Sequence, residues 1–549
     1  MASFWQNKTE MTGFDDRKNA LNSIISISVS CATNETKIEQ ANALNSQNEL
    51  EKAYDIYKSI LGKDPMHADA LFGIGTILKK QKKFDLATQF LSKAIESNPD
   101  KTQALLTRGR ILRLQGMSEN AISDFTEVIA RHPDNFEALI ARGIAFGQTS
   151  QFDMAIADFS SAIGINSNHA DAFYNRGVAY EKLHEYKAAI KDYSIALKIN
   201  PYDYKAYNNR GNARRKTKYF KAALKDFEKS VAINPDFAEG YYNKSLALWS
   251  AGNLRECFKL YEYRWKTAHF QSQVRNFSQP LWLGIEDLAD KTILLHSEQG
   301  LGDSIQFCRY IKFFKNFDCT VLLEVELPLT HLMECLLPRH QIFQKGSTLP
   351  SFDFHCPLMS LPLAFSTNAR TIPFPESYLF ANFEEVKRLK LYLGQTQKTK
   401  VGICWRGNSK HVNDYKRSMK LSSIIDLLDG NFTWVSLQYD ADKYEQELIE
   451  KNKNFTESDS EMENFAKTAA LCEALDVIIS VDTSVAHLAG ALGKKVFLLL
   501  PDVADARWCT TGTTTQWYHN TTLIRQQEQF NWRPPIQHAK KLAKFQTEI

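Results

Sequence analysis

The residues best placed to do chemistry lie in the C-terminal half, and Asp482-Thr483-Ser484, with His487 one helical turn further on, is the first group. Residues 477–481 are an apolar, β-branched run, as a buried strand requires. Residues 485–492 read as a short helix, closed by Gly493 where a left-handed residue is favoured. Lys494 and Lys495 turn the chain into a second apolar run at 496–500. Two buried strands joined by a helix make a right-handed parallel crossover, and ligands bind beyond the carboxyl ends of such strands. Asp482, Thr483, Ser484 and His487 therefore stand at a ligand mouth, where the helix's free N–H groups attract an anion such as a diphosphate. The same residues also suit an ordinary N-cap, with His487 a hydrogen-bonded first-turn residue.

A second group surrounds Asp303. Residues 292–296 read as a short strand, 297–303 as a Gly-rich loop and 304–314 as an amphipathic helix. Gly300 and Gly302 are followed by Ile305 where a dinucleotide fingerprint needs a third glycine, and no Gly-Lys-Ser/Thr makes a P-loop. Asp303 reads either as an N-cap, with capping-box spacing to Gln306, or as a general base at the helix start. In a third group, the strand at 401–405 runs into Arg406, Lys410, His411, Lys416 and Arg417. So many cations at a strand's ligand end suit a departing diphosphate, although a solvated basic loop looks the same. Gln438 ends a strand at 433–437 and is placed to meet ribose or base. Asp440-Ala-Asp442 matches a metal-binding D-x-D, but so short a match is expected by chance, and an acidic helix over 442–450 is the simpler reading.

Other elements must position these groups. Further expectations are a strand at 321–325, a helix at 327–337, a strand at 352–356, a helix at 422–428, an apolar helix at 464–475, a last strand at 523–525 and a closing helix at 535–545 that crosses back between the lobes. Proline-rich irregular chain follows Cys356. The N-terminal half is a repeat array. Pro65, Pro99, Pro133, Pro201 and Pro235 fall on a 34-residue lattice, which also carries Gly75, Gly109, Gly143, Gly177 and Gly211. Ala53 to Ala223 and the bulky Tyr57, Leu91, Phe125, Phe159, Tyr193 and Phe227 recur on it. Six repeats run over 34–237 and a degenerate seventh from Ala238 to about Trp265. Arg108, Arg142, Arg176 and Arg210 precede Asp124, Asp158, Asp192 and Asp226 by sixteen residues, which predicts exposed pairs worth about 0.5 kcal/mol each. Asn175, Asn209 and Asn243 form a further column.

The lattice resembles the tetratricopeptide repeat, a helix pair per repeat. Asp-Thr-Ser-Val-Ala-His-Leu-Ala-Gly-Ala-Leu-Gly at 482–493 is similar to the donor-site motif of heptosyltransferase-like glycosyltransferases (family 9 and relatives), with Ser484 where that family often has Gly. Glu-Gln-Gly-Leu-Gly-Asp at 298–303 resembles the family's Gly-Asp loop, whose Asp is the proposed base, which brings in Gln299, Gly300 and Gly302 on the acceptor side. Trp-x-Gly-Asn at 405–408, with Arg417 further on, resembles its phosphate-binding loop and adds Asn408. The resemblance implies an α-solenoid followed by an α/β two-lobed, GT-B-type transferase with Rossmann-like lobes, inverting and independent of metal or other cofactor, with a nucleotide-sugar as co-substrate. Asp303 is then the base. Arg406, Asn408, Arg417, Gln438, Asp482, Thr483, Ser484 and His487 hold the donor, with Lys467 and Thr468 as lesser candidates. The architecture is similar to O-linked N-acetylglucosamine transferases, in which an asparagine ladder like Asn175, Asn209 and Asn243 holds peptide backbone. This implies a protein or peptide acceptor on the repeats' concave face.

The implied division is an N-terminal segment (1–33), the array (34–268), a linker (269–284) with Trp282 packed on a domain face, an acceptor-side lobe (285–395) and a nucleotide-sugar lobe (396–549). At 549 residues the chain is long enough for several domains, and a formal charge of +4 gives no bulk electrostatic reason for nucleic-acid binding. Nine cysteines without CxxC or Cys/His metal spacing suit a reducing, cytoplasmic setting. No apolar run reaches the length of a membrane span. Residues 21–32 read as a short helix on the first repeat rather than a signal h-region. Two other functions fit the same sequence: a non-catalytic repeat scaffold with a vestigial transferase module, and a transferase acting on a glycan or lipopolysaccharide.

Overall fold

The computed structural model describes residues 33–271, 274–394, 397–409, 414–456 and 462–546. Lys410 and His411 of the basic loop, and the helix expected at 21–32, lie outside the described residues. The chain forms two compact units divided between Tyr202 and Asp203.

The first unit is a stack of helix pairs: α1 (Asn34–Ser46) with α2 (Leu50–Leu61), α3 (Ala68–Lys80) with α4 (Phe84–Ser97), α5 (Thr102–Leu114) with α6 (Ser118–Arg131), α7 (Phe136–Gln148) with α8 (Phe152–Ile165), and α9 (Ala170–Lys182) with α10 (Tyr186–Ile199). The lattice columns explain the packing. A Cβ added at Gly109 or Gly143 would stand 2.7 Å from the ring of Phe125 or Phe159, so the small residue lets each pair close onto its bulky partner. Lys82, Ser150 and His184, with positive φ, turn the chain inside pairs, and Gly116 does so in α5–α6. The expected Arg–Asp pairs are present and bidentate: Arg142 donates to Asp158 at 2.8 and 2.8 Å, and Arg176 to Asp192 at 2.7 and 2.9 Å. They are not exposed pairs, however. Asp124, Asp158 and Asp192 are buried. Arg108, Arg142 and Arg176 each donate a third bond to Ser92, Thr126 or Ser160 of the preceding repeat. The guanidinium fork thus ties repeat to repeat as well as helix to helix, so the small surface value understates each pair.

The second unit opens with two more pairs, α11 (Tyr204–Lys216) with α12 (Phe220–Ile233) and α13 (Ala238–Ser250) with α14 (Leu254–Tyr261). Two all-parallel sheets follow. The first has the order β3-β2-β1-β4, from β1 (Lys291–His296), β2 (Cys319–Val325), β3 (Ile342–Gln344) and β4 (Phe354–Pro357). The second has the order β10-β9-β8-β5-β6-β7, from β5 (Thr399–Cys404), β6 (Phe432–Ser436), β7 (Phe455–Thr456), β8 (Val477–Val481), β9 (Lys495–Leu500) and β10 (Thr521–Arg525). Helices α15 (Leu301–Phe307), α16 (Phe383–Tyr392), α17 (Lys443–Lys451), α18 (Phe465–Ala474), α19 (Ser484–Ala491) and α20 (Arg533–Gln546) accompany them. One hydrophobic core runs from α13–α14 through the first sheet into α18–α19, which is why the last repeat pairs belong to this unit.

Several expectations need correction. The helix expected at 304–314 begins earlier, at Leu301, and becomes 3₁₀ over Cys308–Asn316, where three residues per turn align buried Cys308, Ile311 and Phe314. Residues 327–337 hold only short 3₁₀ turns, Leu327–Leu329 and Leu332–Cys335. At 421–428, β-branched Ile424 and Ile425 beside paired serines again yield only 3₁₀ turns. The linker's end joins the first sheet: Leu281 bridges His355 in parallel, and Trp282 N–H donates to the His355 carbonyl at 2.9 Å while its ring is buried. Strands β3 and β7, too short to show a pattern, were not foreseen. Helix α20 does not cross between the lobes. Ile536, Ala539 and Ala543 pack on the second sheet, and Arg533 pairs with Asp426.

Candidate functional site

The candidate residues meet at the carboxyl ends of β1, β5 and β8, a junction bordered by Trp249 of α13. Asp303 comes from α15. It is not the cap of that helix: Gly300 is, and Asp303 sits at the third position, where its Oδ2 accepts the Gly300 N–H at 3.0 Å. Its Oδ1 accepts 2.6 Å from Arg507 of the second lobe. Gly302 permits the approach, since a Cβ there would lie 2.8 Å from His487 Cδ2 on α19.

Arg507 is the hub. It donates to Asp303 and to Gln306 Oε1 (2.7 Å), and its Nε donates to Asp505 at 2.9 Å. Its guanidinium lies 5.8 Å from the ring centroid of Trp249 on α13. Desolvation by the surrounding groups would raise the Asp505 carboxyl, but the side chain keeps 47% of its surface exposed and the Arg507 charge holds it below its ordinary range. Asp482, at the end of β8, is pushed up to about 6 by burial and by the neighbouring Asp505 charge, against the opposing pull of Arg507 and Arg417.

Thr483 occupies the N-cap position of α19 without a side-chain cap bond, because its hydroxyl turns inward to Ser480 Oγ at 3.1 Å. Ser484 is the first helical residue. His487 is buried, 2.9 Å from Tyr518 OH through Nδ1 and stacked on Trp508 at 5.3 Å. Burial and the Arg507 charge hold it well below the ordinary histidine range, so it is neutral near pH 7. Of the basic loop, Arg417 donates 2.9 Å to the Asp482 carbonyl and pairs with Asp414 at 3.1 Å, which brings the loop after β5 to the end of β8.

Other candidates are committed elsewhere. Arg406 reaches Glu445 (3.0 Å) and Asp440 (2.9 Å), so acidic side chains hold it here. Gln438 accepts the Arg406 N–H at 3.0 Å and donates to Asp440 at 2.7 Å, fastening the loop. Asp442 caps α17 in a capping box with Glu445, so the D-x-D residues have structural partners. Asn408 is exposed on its loop. Lys416 lies over the Tyr415 ring, Lys467 pairs with Glu463, and the Thr468 hydroxyl returns to the Asn464 carbonyl. Gln299 donates 2.8 Å to Tyr261 OH, a contact with the last repeat. Asn175 is half-buried on α9 in the first unit. In the second unit Asn243 donates to Asn208 at 3.0 Å and Asn208 to Asn209 at 3.3 Å, so these two rungs are linked to each other through Asn208.

The sequence places Arg507 in a loop after Pro501 with Trp508, Trp517 and Tyr518, and Glu298 at the head of the Gly-Asp motif, but gives no site role to either, nor to Asp505 or Arg264. Arg264, fully buried just after α14, forks onto Glu298 through Nη2 (3.1 Å to Oε1) and Nε (3.3 Å to Oε2) and stacks between Tyr261 and Trp265. Burial raises Glu298 to about 7 against the lowering charge of Arg264. This pair anchors the Asp303 loop to the degenerate repeat. The available signal was Arg-Trp soon after a strand's carboxyl end, at 507–508.

These features define a tetratricopeptide α-solenoid followed by parallel α/β sheets. Tetratricopeptide-repeat family profiles match residues 44–110, 103–135, 170–203 and 204–237. The chain is 23% identical over 323 residues to Protein FlbA of Caulobacter vibrioides, covering 53% of this chain and 53% of FlbA. It thus spans about half the length of the curated relative it matches. Similar solved structures include a crystal structure of MamA (26% identity, 30% of this chain and 97% of that chain, TM-score 0.29). A tetratricopeptide protein from Parabacteroides merdae shares 19% identity over 43% of this chain and 93% of its own, with TM-score 0.36. YrrB, described as having an unusual peptide-binding site, shares 18% over 34% and 97%, with TM-score 0.32. Among the described residues, no helix is long and apolar enough to cross a membrane.

Proposed function

We propose that residues 285–549 are a GT-B-type, inverting glycosyltransferase that moves a sugar from a nucleotide-sugar to an acceptor hydroxyl, with the repeats presenting a protein or peptide acceptor. The observation that carries this reading is the convergence of Asp303, on the helix that follows β1 of the first sheet, with Asp482 and the start of α19, from the second, around Arg507. Asp303 accepts two bonds in this arrangement, and a carboxylate has about four lone-pair sites, so capacity remains for an acceptor hydroxyl. In the proposed step Asp303 takes the hydroxyl proton as the oxygen attacks the anomeric carbon. The nucleoside diphosphate leaves on the opposite side, toward Arg417 and the N–H groups opening α19. Tyr242 and Trp249 on α13 border the cleft, which gives the repeats a hand in the acceptor side.

The test is nucleotide release and acceptor modification with UDP-, GDP-, ADP- and CMP-sugars. One nucleotide class is expected to turn over, and Asp303→Asn should cut the rate about 10²–10⁴-fold while donor binding persists. A folded protein that binds none of these donors refutes the reading. It would favour the second one, a repeat scaffold with a silent transferase module, which draws support from Arg507 already pairing with Asp303 and Glu445 with Arg406. In that case Asp303→Asn leaves partner binding intact and changes in the repeats abolish it.

A further inference from the structure

A recess lined by none of the cleft's candidate residues opens at the carboxyl ends of β9 and β10, against α11. Its lining includes Arg215, Lys218 and Arg525 with Asp502, Cys509 and Thr510. Among the described residues that line it, three are cations and Asp502 is the sole carboxylate. Lys218 is bonded to Asp502. Arg525 has no carboxylate partner among the described residues: its Nη2 donates to the Trp508 carbonyl at 2.7 Å, and its Nε is buried without a hydrogen-bond partner. A partly buried guanidinium without a counter-charge is costly, and an arginine fork matches a two-oxygen anion face.

The backbone adds an independent sign. Cys509, on the recess wall, has φ 59° and ψ −172°, a conformation otherwise reserved for glycine. Such strain, about 1–3 kcal/mol, persists where the surroundings impose it, and here it turns the chain past Arg525. The recess also occupies the edge of a parallel sheet where ligands bind.

We propose that this recess is an anion site, separate from the cleft, that takes a phosphate group between Arg525, Arg215 and Lys218, with Asp502 holding the anion's place in its absence. The solvent room is ≈ 10 Å³, about one water, so phosphate enters only as Asp502 leaves Lys218. That exchange is cheap, because the Lys218 and Asp502 side chains are 47% and 38% exposed and such pairs contribute little.

The test is thermal denaturation and calorimetry of the full chain with inorganic phosphate, with glutamate as a carboxylate control. Phosphate should raise Tm in wild type, and glutamate should do so less. Arg525→Gln should abolish the response without lowering the ligand-free Tm, and Arg525→Lys should weaken binding about tenfold. Asp502→Asn should tighten phosphate binding at least threefold. In the Arg417→Ala background, which removes the cleft's own diphosphate group, the recess should still answer phosphate and should still lose that answer with Arg525→Gln, so this proposal and the transferase reading fail separately. An undiminished response in Arg525→Gln, loss of the response in Arg417→Ala, or no phosphate binding by either wild type or Asp502→Asn overturns the proposal.

Discussion

Replacing Arg507 by Met removes the charge at the centre of the cleft while keeping a flexible stem against Trp249. The Asp303 and Arg507 side chains are 15% and 12% exposed, so their 2.6 Å pair is close to a buried one, and removing a single partner of such a pair costs about 3–5 kcal/mol. The Asp505 arm adds less than about 1 kcal/mol, because Asp505 is 47% exposed. The assay is urea unfolding followed by tryptophan fluorescence. Residues 33–202 contain no tryptophan, whereas Trp249, Trp265, Trp282, Trp405, Trp434, Trp508, Trp517 and Trp532 lie in the second unit, so with Trp5, outside the described residues, changed to Phe throughout the series the signal reports that unit. Arg507→Met should cost about 3–5 kcal/mol. In combination with Asp303→Asn it should cost at least about 2 kcal/mol less than the two single changes together, the coupling expected of groups in direct contact. Additivity to within about 0.5 kcal/mol would refute the view that the Arg507–Asp303 pair ties the helix after β1 to the loop after β9.

Two further outcomes follow from burial. The Asp482 carboxyl is raised to about 6, so between about pH 4 and pH 6 the folded state holds more protons than the unfolded one, and this group's contribution falls as pH rises through that window. Asp482→Asn should therefore stabilise by roughly 1–3 kcal/mol at pH 7 and by nothing below about pH 4, measured as urea midpoints across pH. In the first unit, Asp192→Ala strips both acceptor oxygens from Arg176 and should cost about 2 kcal/mol by circular dichroism, well above an exposed pair; a loss under about 0.5 kcal/mol would return these pairs to the surface class.

The sequence by itself determined the repeat array, the parallel strands around 477–500 and the identity of the groups at strand ends. Those features are local or strictly periodic: a 34-residue lattice repeats its own packing problem, and an apolar run of five residues announces a buried strand wherever it lies. Gly109 against Phe125 could be read from spacing alone, because the two stand in the same repeat. Asp303 was legible as a residue at a helix start but not as the partner of Arg507, which lies 204 positions away. The tertiary structure decided that pairing, the capture of Arg406 by Glu445, the neutral state of His487 and the anchoring of Glu298 by Arg264. Each depends on which side chains meet and how far water is excluded from them. Long-range contact and burial, unlike periodicity, leave no regular trace along a single chain.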